Sequence, residues 1–505
     1  FVLTSAVIAL GLPRLLGDTA RFGEFRVVTG FMTILNSAGV TAMMQAVARL
    51  VAESPGDGQT IRRAGLTVGA GLGGAAALVL WLWPGPIASA VFRDATLARY
   101  LEVVGIVGFL YALYGSELGF LNGERRFGAQ AGLDMLFSTL KVACVVLGVA
   151  LGFGVMGGIS GFAVATLATL MVGAVLLHGA AGPGPMPIAR LVSVVVPLVL
   201  TQLMLNLLIQ LDGIVIKAAA RAPLEAADPS ALLALARSLG LDAVPDAPEK
   251  ALADRLSGVF GAAKNLALLP FQTTYALTLV AHPMVASASA LKETSRASGL
   301  VRGALRFTSL VGAVLAAGLG AASGPLLHLL FGVDYRAATA ALPYLLIANV
   351  LLSLLILVGS LLAALGRERT GLAVTVGTAL LTGGALWTLT GGPAGATVDA
   401  LRLAAAASAG SVAVGTAVGA LLLARGLPGC VPWLTAGRAV LCAGAGGLAG
   451  ALVPLDGTTA LTTTVAVVVR GLVGTLVTVA GLIATRELGA ADWAAVRRIV
   501  RRRSE

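Results

Sequence analysis

Residues 340–365 read AALPYLLIANVLLSLLILVGSLLAAL, and this stretch decides the fold class. It contains no charged residue, and it is longer than the roughly 20 apolar residues that a helix needs to cross a hydrocarbon core about 30 Å thick. The rest of the 505-residue chain has the same character, with 57% hydrophobic and 12% charged residues. An ordinary soluble domain carries about 25% charged residues. The sequence therefore predicts an all-α polytopic membrane protein.

Apolar runs of this kind recur from end to end, bounded by charges, glycine and proline, and they predict fourteen transmembrane helices. Glycine is abundant (65 residues), and small residues let helices pack closely in lipid. The predicted spans one to fourteen are Phe1–Leu15, Phe25–Val47, Ala64–Trp83, Tyr100–Leu121, Ala129–Phe153, Gly157–His178, Leu191–Ala218, Val259–Val285, Leu305–Leu330, Ala340–Leu365, Leu372–Leu389, Leu403–Ala424, Val431–Val453 and Leu461–Thr485.

The distribution of Lys and Arg predicts the orientation, because short loops rich in these residues stay in the cytoplasm. With both termini inside, 20 Lys/Arg fall on the inner side and 12 on the outer side. Three more, Lys141, Lys264 and Arg470, lie within spans. We therefore predict a multi-pass membrane protein with both termini cytoplasmic.

Residues 486–505 form a basic tail in which Trp493, Val496 and Val500 recur at helical spacing. This pattern predicts a cytoplasmic amphipathic segment that contacts anionic lipid, and a simple stop signal after the last span fits it equally well. The net charge of +11 has the same origin. Aromatic residues are not interleaved with the basic ones, so no nucleic-acid partner is expected.

An internal repeat divides the chain. Gly85-Pro86 followed by Phe92 recurs as Gly324-Pro325 followed by Phe331, each time after the third span of a six-span half. Because six is even, the halves share one orientation, as in transporters whose halves are related by an axis along the membrane normal. The predicted domains are an N-terminal six-helix lobe (1–185), a C-terminal six-helix lobe (186–425) and two additional transmembrane helices (426–485) before the tail.

One hydrophilic stretch, residues 221–255, interrupts the second lobe between spans seven and eight, on the outer side. Asp228-Pro229-Ser230 and Pro248-Glu249-Lys250 each precede an Ala/Leu-rich run, which predicts two short capped helices. Loops tolerate added length easily, so this extracytoplasmic insertion is more typical of a lineage-specific addition than of a site.

Stripes of polar residues run along several spans and predict a cavity, because a polar side chain facing lipid is costly. Span seven carries Gln202, Asn206 and Gln210, and span eight carries Lys264. Under the repeat these spans correspond to spans one and two, which predicts a water-filled cavity between the lobes. Its basic members suit an anionic group such as a pyrophosphate. The predicted cavity residues are Arg14, Arg21, Arg26, Asn36, Gln202, Asn206, Gln210, Lys264, Asn265 and Gln272.

Other charged residues within the spans have two interpretations each. Asp134 and Lys141 are seven residues apart on one face of span five, where they either pair locally or serve transport. Glu117 and Asp212 are candidates for a charge pair or for ion coupling. Arg470, inside span fourteen, either extends to the headgroups or faces a groove and meets a lipid phosphate.

The sequence contains no enzyme motif of the P-loop, His-Glu-x-x-His or Gly-x-Ser-x-Gly type. Cys144, Cys430 and Cys442 are scattered, without metal-ligand spacing. We therefore expect no catalytic residue, no metal site and no cofactor. Energy for transport would come from a gradient of Na⁺ or H⁺, or from supply and removal of the substrate.

Three segments carry a resemblance to a known family. They are Pro13-Arg14-Leu15-Leu16-Gly17 with Phe22-Gly23-Glu24-Phe25, then Val259-Phe260-Gly261-Ala262-Ala263, and the stretch from Gly324 to Arg367. These segments resemble polysaccharide biosynthesis flippases, the Wzx-like branch of the MOP (multidrug, oligosaccharidyl-lipid, polysaccharide) superfamily. The resemblance implies two six-helix lobes in a V around a cationic cavity that includes Lys264 and opens alternately to each side.

The cargo implied by the resemblance is undecaprenyl-pyrophosphate-linked oligosaccharide for O-antigen or exopolysaccharide synthesis, carried across a bacterial cytoplasmic (inner) membrane. Membrane lipids and the polysaccharide polymerase and glycosyltransferase machinery would be its partners. A fourteen-span count also resembles the related lipid II flippases, whose last two helices frame a groove for the lipid tail. The insertion and the sparse basic residues depart from that branch.

Two further alternatives predict different residues. A MATE-like drug/cation antiporter predicts an acidic cavity, whereas Arg26 and Lys264 predict a basic one. A membrane glycosyltransferase needs acidic residues in large outer loops, and the first loop offers only Asp18 and Glu24.

Overall fold

The computed structural model describes residues 2–54, 56–179, 186–455 and 459–489. Over these ranges the chain is helical, at 87%, and contains no strand, as the sequence predicts. The lipid-contacting part of the predicted tail, with Trp493, Val496 and Val500, lies outside the described residues.

The chain divides into two compact units. The first contains Phe1–Ala262 and Leu386–Ala400, and the second contains Ala263–Ala385 and Leu401–Glu505. The described α-helices are α1 (Val2–Leu16), α2 (Thr19–Glu53), α3 (Gly58–Leu82), α4 (Pro84–Phe92), α5 (Ala98–Gly123), α6 (Phe127–Gly148), α7 (Gly154–Leu176), α8 (Ile188–Glu225), α9 (Pro229–Ser238), α10 (Pro248–Ala290), α11 (Thr294–Ala321), α12 (Ser323–Phe331), α13 (Leu342–Ala364), α14 (Glu368–Thr390), α15 (Asp399–Gly426), α16 (Trp433–Ala451) and α17 (Ala460–Ala484).

Eleven stretches of the described chain are long and apolar enough to cross a membrane. One of them, Phe127–Leu176, holds α6 and α7 and thus two of the predicted spans. The 15-residue α1 corresponds to predicted span one, and the 43-residue α10 contains predicted span eight. The chain is therefore a multi-pass membrane protein.

The two copies of the sequence repeat adopt the same local structure. Gly85-Pro86 through Phe92 lies in α4, and Gly324-Pro325 through Phe331 lies in α12. Each is a nine-residue helix, and each is followed by a short 3₁₀ turn, Ala95–Leu97 or Val333–Ala338. The repeat thus marks equivalent turns in the two units.

Glycines of α5 allow this helix to pack closely on α2 in the first unit. On α5, Gly115, Gly119 and Gly123 are spaced by four and face α2. A Cβ added at Gly115 would lie 2.7 Å from the carbonyl oxygen of Val40, and one added at Gly119 would lie 2.7 Å from that of Met44. Backbones that approach so closely gain van der Waals contact that lipid cannot provide. The spacing of four keeps all three glycines on one face of the helix.

The first unit extends beyond the predicted lobe boundary at 185/186, since it also contains α8, α9 and the start of α10. The insertion 221–255 belongs to these helices. One of its two predicted short helices is α9, and the other is the first part of α10, while α8 continues as far as Glu225. The insertion therefore lengthens two long helices and adds one short helix between them.

In the second unit, the C-terminal helices pack on α11. Gly446 of α16 and Gly474 of α17 lie in close contact, and Gly318 of α11 lies against Thr475. Beyond α17, the carboxylate of Glu487 binds Arg438 (Nη1–Oε1 2.8 Å) and accepts a hydrogen bond from Thr435 (2.8 Å). These contacts fix the end of α17 to α16.

Candidate functional site

Arg26 lies on a polar face of the first unit, where α2 meets α8 and α10. Its side chain runs along the backbone of Gly261, so that a Cβ added there would lie 3.0 Å from the Cγ of Arg26. The buried carboxylate of Asp212, on α8, acts on the guanidinium charge. The structure thus brings together two residues that the sequence analysis assigned to different groups.

The stripe on α8 follows the same face. Asn206 is buried and donates to the carbonyl oxygen of Gln202 (2.8 Å), while Gln202 and Gln210 are half-buried. Gln210 lies opposite Gly30 of α2, 3.8 Å from the position that a Cβ would take there. The polar stripe of α8 therefore reaches the contact between α2 and α8 at Gln210.

Asn36 lies on another side of α2, facing α5. It is 4% exposed, and its Oδ1 is 3.4 Å from where a Cβ of Gly108 would lie. Neither polar atom of its amide has a hydrogen-bond partner among the described residues. Beside it lies an apolar cavity of about 270 Å³ lined by residues that include Leu35, Gly39 and Gly108.

Arg14 and Arg21 are exposed, near the end of α1 and the start of α2 respectively. In the second unit, α10 carries Lys264, Asn265 and Gln272. Lys264 is buried (3% exposed), Asn265 is half-buried and Gln272 is exposed, and both Lys264 and Asn265 have interaction partners.

Asp134 and Lys141 contact aromatic residues. The hydroxyl of Tyr114 donates to Asp134 (2.7 Å), and the ammonium of Lys141 lies 5.4 Å from the ring centre of Phe137. Phe137 also packs on Tyr114. The two charged residues therefore border one aromatic cluster between α5 and α6.

Glu117 pairs with a residue that the sequence analysis used only as a marker of orientation. Its two carboxylate oxygens accept from Nε and Nη2 of Arg62, each at 2.6 Å. Arg62 also donates from Nη1 to the carbonyl oxygen of Leu177 (2.8 Å). The arrangement connects α3, α5 and the end of α7.

Arg470 lies level with the C-terminal end of α16. Its Nε donates to the carbonyl oxygen of Val453 (3.1 Å), two residues beyond the end of that helix. The carbonyls at a helix C-terminus lack partners within the helix, and a cation there is favoured by the helix dipole. Arg470 thus binds the backbone of the turn between α16 and α17.

Sequence analysis missed a cluster of three buried charges in the first unit. The ammonium of Lys217, on α8, lies 2.9 Å from Oδ2 of Asp94 and 2.5 Å from Oδ1 of Asp254. Lys217 is fully buried, and each carboxylate residue is 2% exposed. The ammonium therefore forms an ion pair with each of the two carboxylates.

The two carboxyl groups of this cluster differ in environment. Burial opposes ionisation of Asp94, but Lys217 and the donors of Thr96 outweigh it, so the pKa of Asp94 is about 2. Burial dominates at Asp254 and raises its pKa to about 6 against the attraction of Lys217. The sequence signal for this cluster was weak, because Lys217 stood at the end of an apolar run and both aspartates stood in loops.

Among the described residues, no group of three or more His, Cys, Asp and Glu side chains could hold a metal ion. The candidate site is therefore made of single charges and amides spread over long helices. Such an arrangement is chemically capable of binding a solute or an ion through charge and hydrogen bonding.

No protein-family model and no curated protein sequence matches the chain. Solved structures do. The lipid II flippase MurJ in an inward closed conformation matches with a TM-score of 0.68 and 13% identity, over 96% of this chain and 99% of that one. An inward-facing multidrug resistance MATE family transporter of the MOP superfamily matches with a TM-score of 0.59 and 15% identity, over 83% and 98%.

The outward-facing conformation of such a MATE transporter matches with a TM-score of 0.55 and 15% identity, over 85% of this chain and 96% of that one. At these identities the likeness is one of fold. The proteins it resembles are flippases and transporters rather than enzymes. The chain has the all-helical fold of these flippases and transporters, as the sequence predicts.

Proposed function

We propose that this protein is a flippase that carries undecaprenyl-pyrophosphate-linked oligosaccharide from the inner to the outer leaflet of a bacterial cytoplasmic membrane by alternating access. The observation that carries the proposal is the extent of the likeness to MurJ, which covers 96% of the chain. The part of the chain outside the MurJ match, 4%, is shorter than α16 and α17 together. The MATE matches leave 15% or more of the chain unmatched. The likeness to a lipid flippase thus includes helices beyond the first twelve predicted spans.

The charges on the polar faces fit an anionic headgroup. Arg26 lies at the meeting of α2, α8 and α10, and Lys264 follows on α10. A pyrophosphate is bound best by guanidinium and ammonium groups, and these interactions strengthen where water is excluded. We infer that Arg26 and Lys264 bind the pyrophosphate, with Gln202, Asn206 and Gln210 available to the sugars.

Lipid II transport for peptidoglycan synthesis is the second candidate. It is favoured by the match to MurJ, which is described as a lipid II flippase. Lipid II is also a lipid-linked pyrophosphate, so the same cations would serve. A MATE-like antiporter fits less well, because a basic polar face repels a cationic drug.

Deleting the gene tests the main proposal. Lipid-linked oligosaccharide should then accumulate on the cytoplasmic leaflet while its synthesis continues. Normal surface polysaccharide in the deletion strain would contradict the proposal. Rescue of a strain depleted of its own lipid II flippase would instead support the second candidate.

Substitution of Lys264 tests the binding role in the same strain. Lys264→Ala should abolish export while the protein remains in the membrane, and Lys264→Arg should retain part of the activity because the charge is kept. Arg302→Ala removes an exposed cation from α11 and serves as the control. Full activity of Lys264→Ala would remove Lys264 from the site.

A further inference from the structure

Lys217 holds two carboxylates that come from distant parts of the sequence, and this cluster joins α10 to the rest of the first unit. Asp94 precedes the 3₁₀ turn Ala95–Leu97, Lys217 belongs to α8, and Asp254 lies in the first turns of α10. We propose that Asp254 is a proton-binding site. A proton on Asp254 stabilises the packing of α10 against α2 and α8, and ionisation of Asp254 favours the separation of α10.

The first argument is charge balance. The three fully buried groups are two carboxylates and one ammonium, so when all are ionised the buried cluster carries one net negative charge. A buried charge without compensation is strongly unfavourable. Arg221 compensates in part, but its Nη2 is 3.7 Å from Asp94 and its side chain is partly exposed. One proton makes the buried cluster neutral.

The surroundings of the two carboxylates decide which of them takes the proton. Asp94 accepts from the backbone N–H of Thr96 (3.2 Å) and from its hydroxyl (2.8 Å), in addition to its contacts with Lys217 and Arg221. Hydrogen bonds to a carboxylate favour its ionised form. Asp254 forms an ion pair with Lys217, at 2.5 Å. Asp254 is the less stabilised anion.

The neighbouring cations are engaged with other groups. Lys250, one turn before Asp254, binds Glu24 (3.5 Å) and donates to the hydroxyl of Thr96 (2.9 Å). Arg255 binds Asp18 (3.0 Å). The charged and titratable groups of the described elements around Asp254 are Asp18 and Glu24 of the α2 region, Asp94 before the 3₁₀ turn, Arg99 and Tyr100 of α5, Lys217 and Arg221 of α8, and Lys250 and Arg255 of α10. Glu24 and Asp94 both disfavour a charge on Asp254.

The backbone packing keeps this carboxyl group out of water. Gly23 of α2 approaches the carbonyl group of Asp254 so closely that a Cβ would overlap it, and Gly258 approaches Thr19 in the same way. Separation of α10 from α2 would break this contact and expose Asp254. An exposed aspartate has an ordinary pKa of 3.8, whereas burial raises the pKa of Asp254 to about 6.

The sign of the pH effect follows from this difference. The packed state holds the proton more tightly than the separated state, so lowering the pH from 6 towards 4 stabilises the packed state. A shift of about two pKa units corresponds to roughly a hundredfold change in the opening equilibrium. An ordinary salt bridge between Lys217 and Asp254 would do the opposite and weaken as Asp254 takes up a proton.

The consequence for transport rests on the proposed function. In the orientation predicted from the charge distribution, the cluster lies at the outer end of the helices. The pH outside the membrane would then set how readily α10 separates at that end, and a pH above about 6 would favour separation. The ligand of Asp254 is thus a proton.

Hydrogen–deuterium exchange of residues 248–262 tests the proton site in the full-length protein in lipid nanodiscs, with rates corrected for the intrinsic effect of pH. Protection of this segment should begin to rise as the pH falls below about 6 and should continue to rise towards pH 4. Asp254→Asn, which imitates the protonated carboxyl group, should show high protection that does not depend on pH. The control Asp246→Asn makes the same chemical change at an exposed position two residues before this segment and should behave like the wild type.

Protection that stays constant or falls as the pH is lowered would overturn the proposal, and the wild-type profile decides this even if a variant cannot be recovered. Asp94→Asn provides a contrast, because it leaves the buried cluster neutral when Asp254 is ionised and should therefore abolish the rise in protection at low pH. No substrate is needed for these measurements. Loss of the pH profile with intact flipping would reject the proton site, whereas absence of flipping with an intact profile would reject the flippase.

Discussion

Arg62 and Glu117 form a two-pronged ion pair in which Nε and Nη2 of the guanidinium each lie 2.6 Å from a carboxylate oxygen. The two residues are 7% and 3% exposed, so the pair is buried. Arg62 also binds the carbonyl oxygen of Leu177 at the end of α7. The pair therefore fixes three helices of the first unit at one level.

Removing one partner of this pair should destabilise the protein strongly. Arg62→Ala leaves the Glu117 carboxylate buried without its cation, and such losses amount to about 3–5 kcal/mol. The midpoint of thermal unfolding of the purified protein should fall clearly. Arg63→Ala, at the neighbouring exposed position, is the control and should change it little. Equal effects of the two substitutions would show that the pair contributes nothing.

Gly23 is predicted to be intolerant of any side chain. A Cβ at this position would overlap the carbonyl group of Asp254, so Gly23→Ala must push α10 away from α2. Gly213→Ala, in α8, adds the same methyl group where nothing lies within 4 Å. That change should be neutral or stabilising by up to about 1 kcal/mol, because alanine favours a helix. Thermal unfolding and the monodispersity of the purified proteins compare the two variants, and similar behaviour would contradict the close contact.

The composition and the apolar runs were sufficient to predict the fold class, because lipid permits few structures other than helices. The repeat at Gly85-Pro86 and Gly324-Pro325 also predicted equivalent positions, since both copies form nine-residue helices. Hydropathy alone did not predict that α8 and α10 extend through the insertion 221–255. Charged residues and prolines interrupt the apolar runs in that part of the chain, and the start of α10 packs on α2 there.

The site was harder to predict, because helical spacing shows which residues share a face but not which helix that face meets. Arg26 and Asp212 were both selected for their place in apolar spans, and their proximity came from the crossing of α2 and α8. Lys217 and Asp254 are 37 positions apart, and no local pattern joins them. In the sequence, Arg62 was interpreted as a charge in a cytoplasmic loop, whereas its side chain is buried in the structure.

Glu487 should anchor the end of α17. Glu487→Gln weakens the contacts with Arg438 and Thr435, and it should destabilise this end by about 1–2 kcal/mol, since Arg438 is partly exposed. Limited proteolysis after α17 should become faster, with a smaller effect on global unfolding. Glu368→Gln, at an exposed position of the same unit, should leave the cleavage rate unchanged. An unchanged rate for Glu487→Gln would show that the helix end is held by other contacts.

Substitution of Asn36 tests whether this residue lowers the stability of the protein while serving transport. Both polar atoms of its amide are buried without a hydrogen-bond partner among the described residues, and such a group is unfavourable by about 1–3 kcal/mol. Asn36→Leu, with a similar volume, should therefore raise the unfolding midpoint. Asn206→Leu should not, because the amide of Asn206 already donates to Gln202. If Asn36 belongs to the transport path, as its place among the predicted cavity residues implies, the stabilised Asn36→Leu protein will export less. Unchanged export together with greater stability would place Asn36 outside that path.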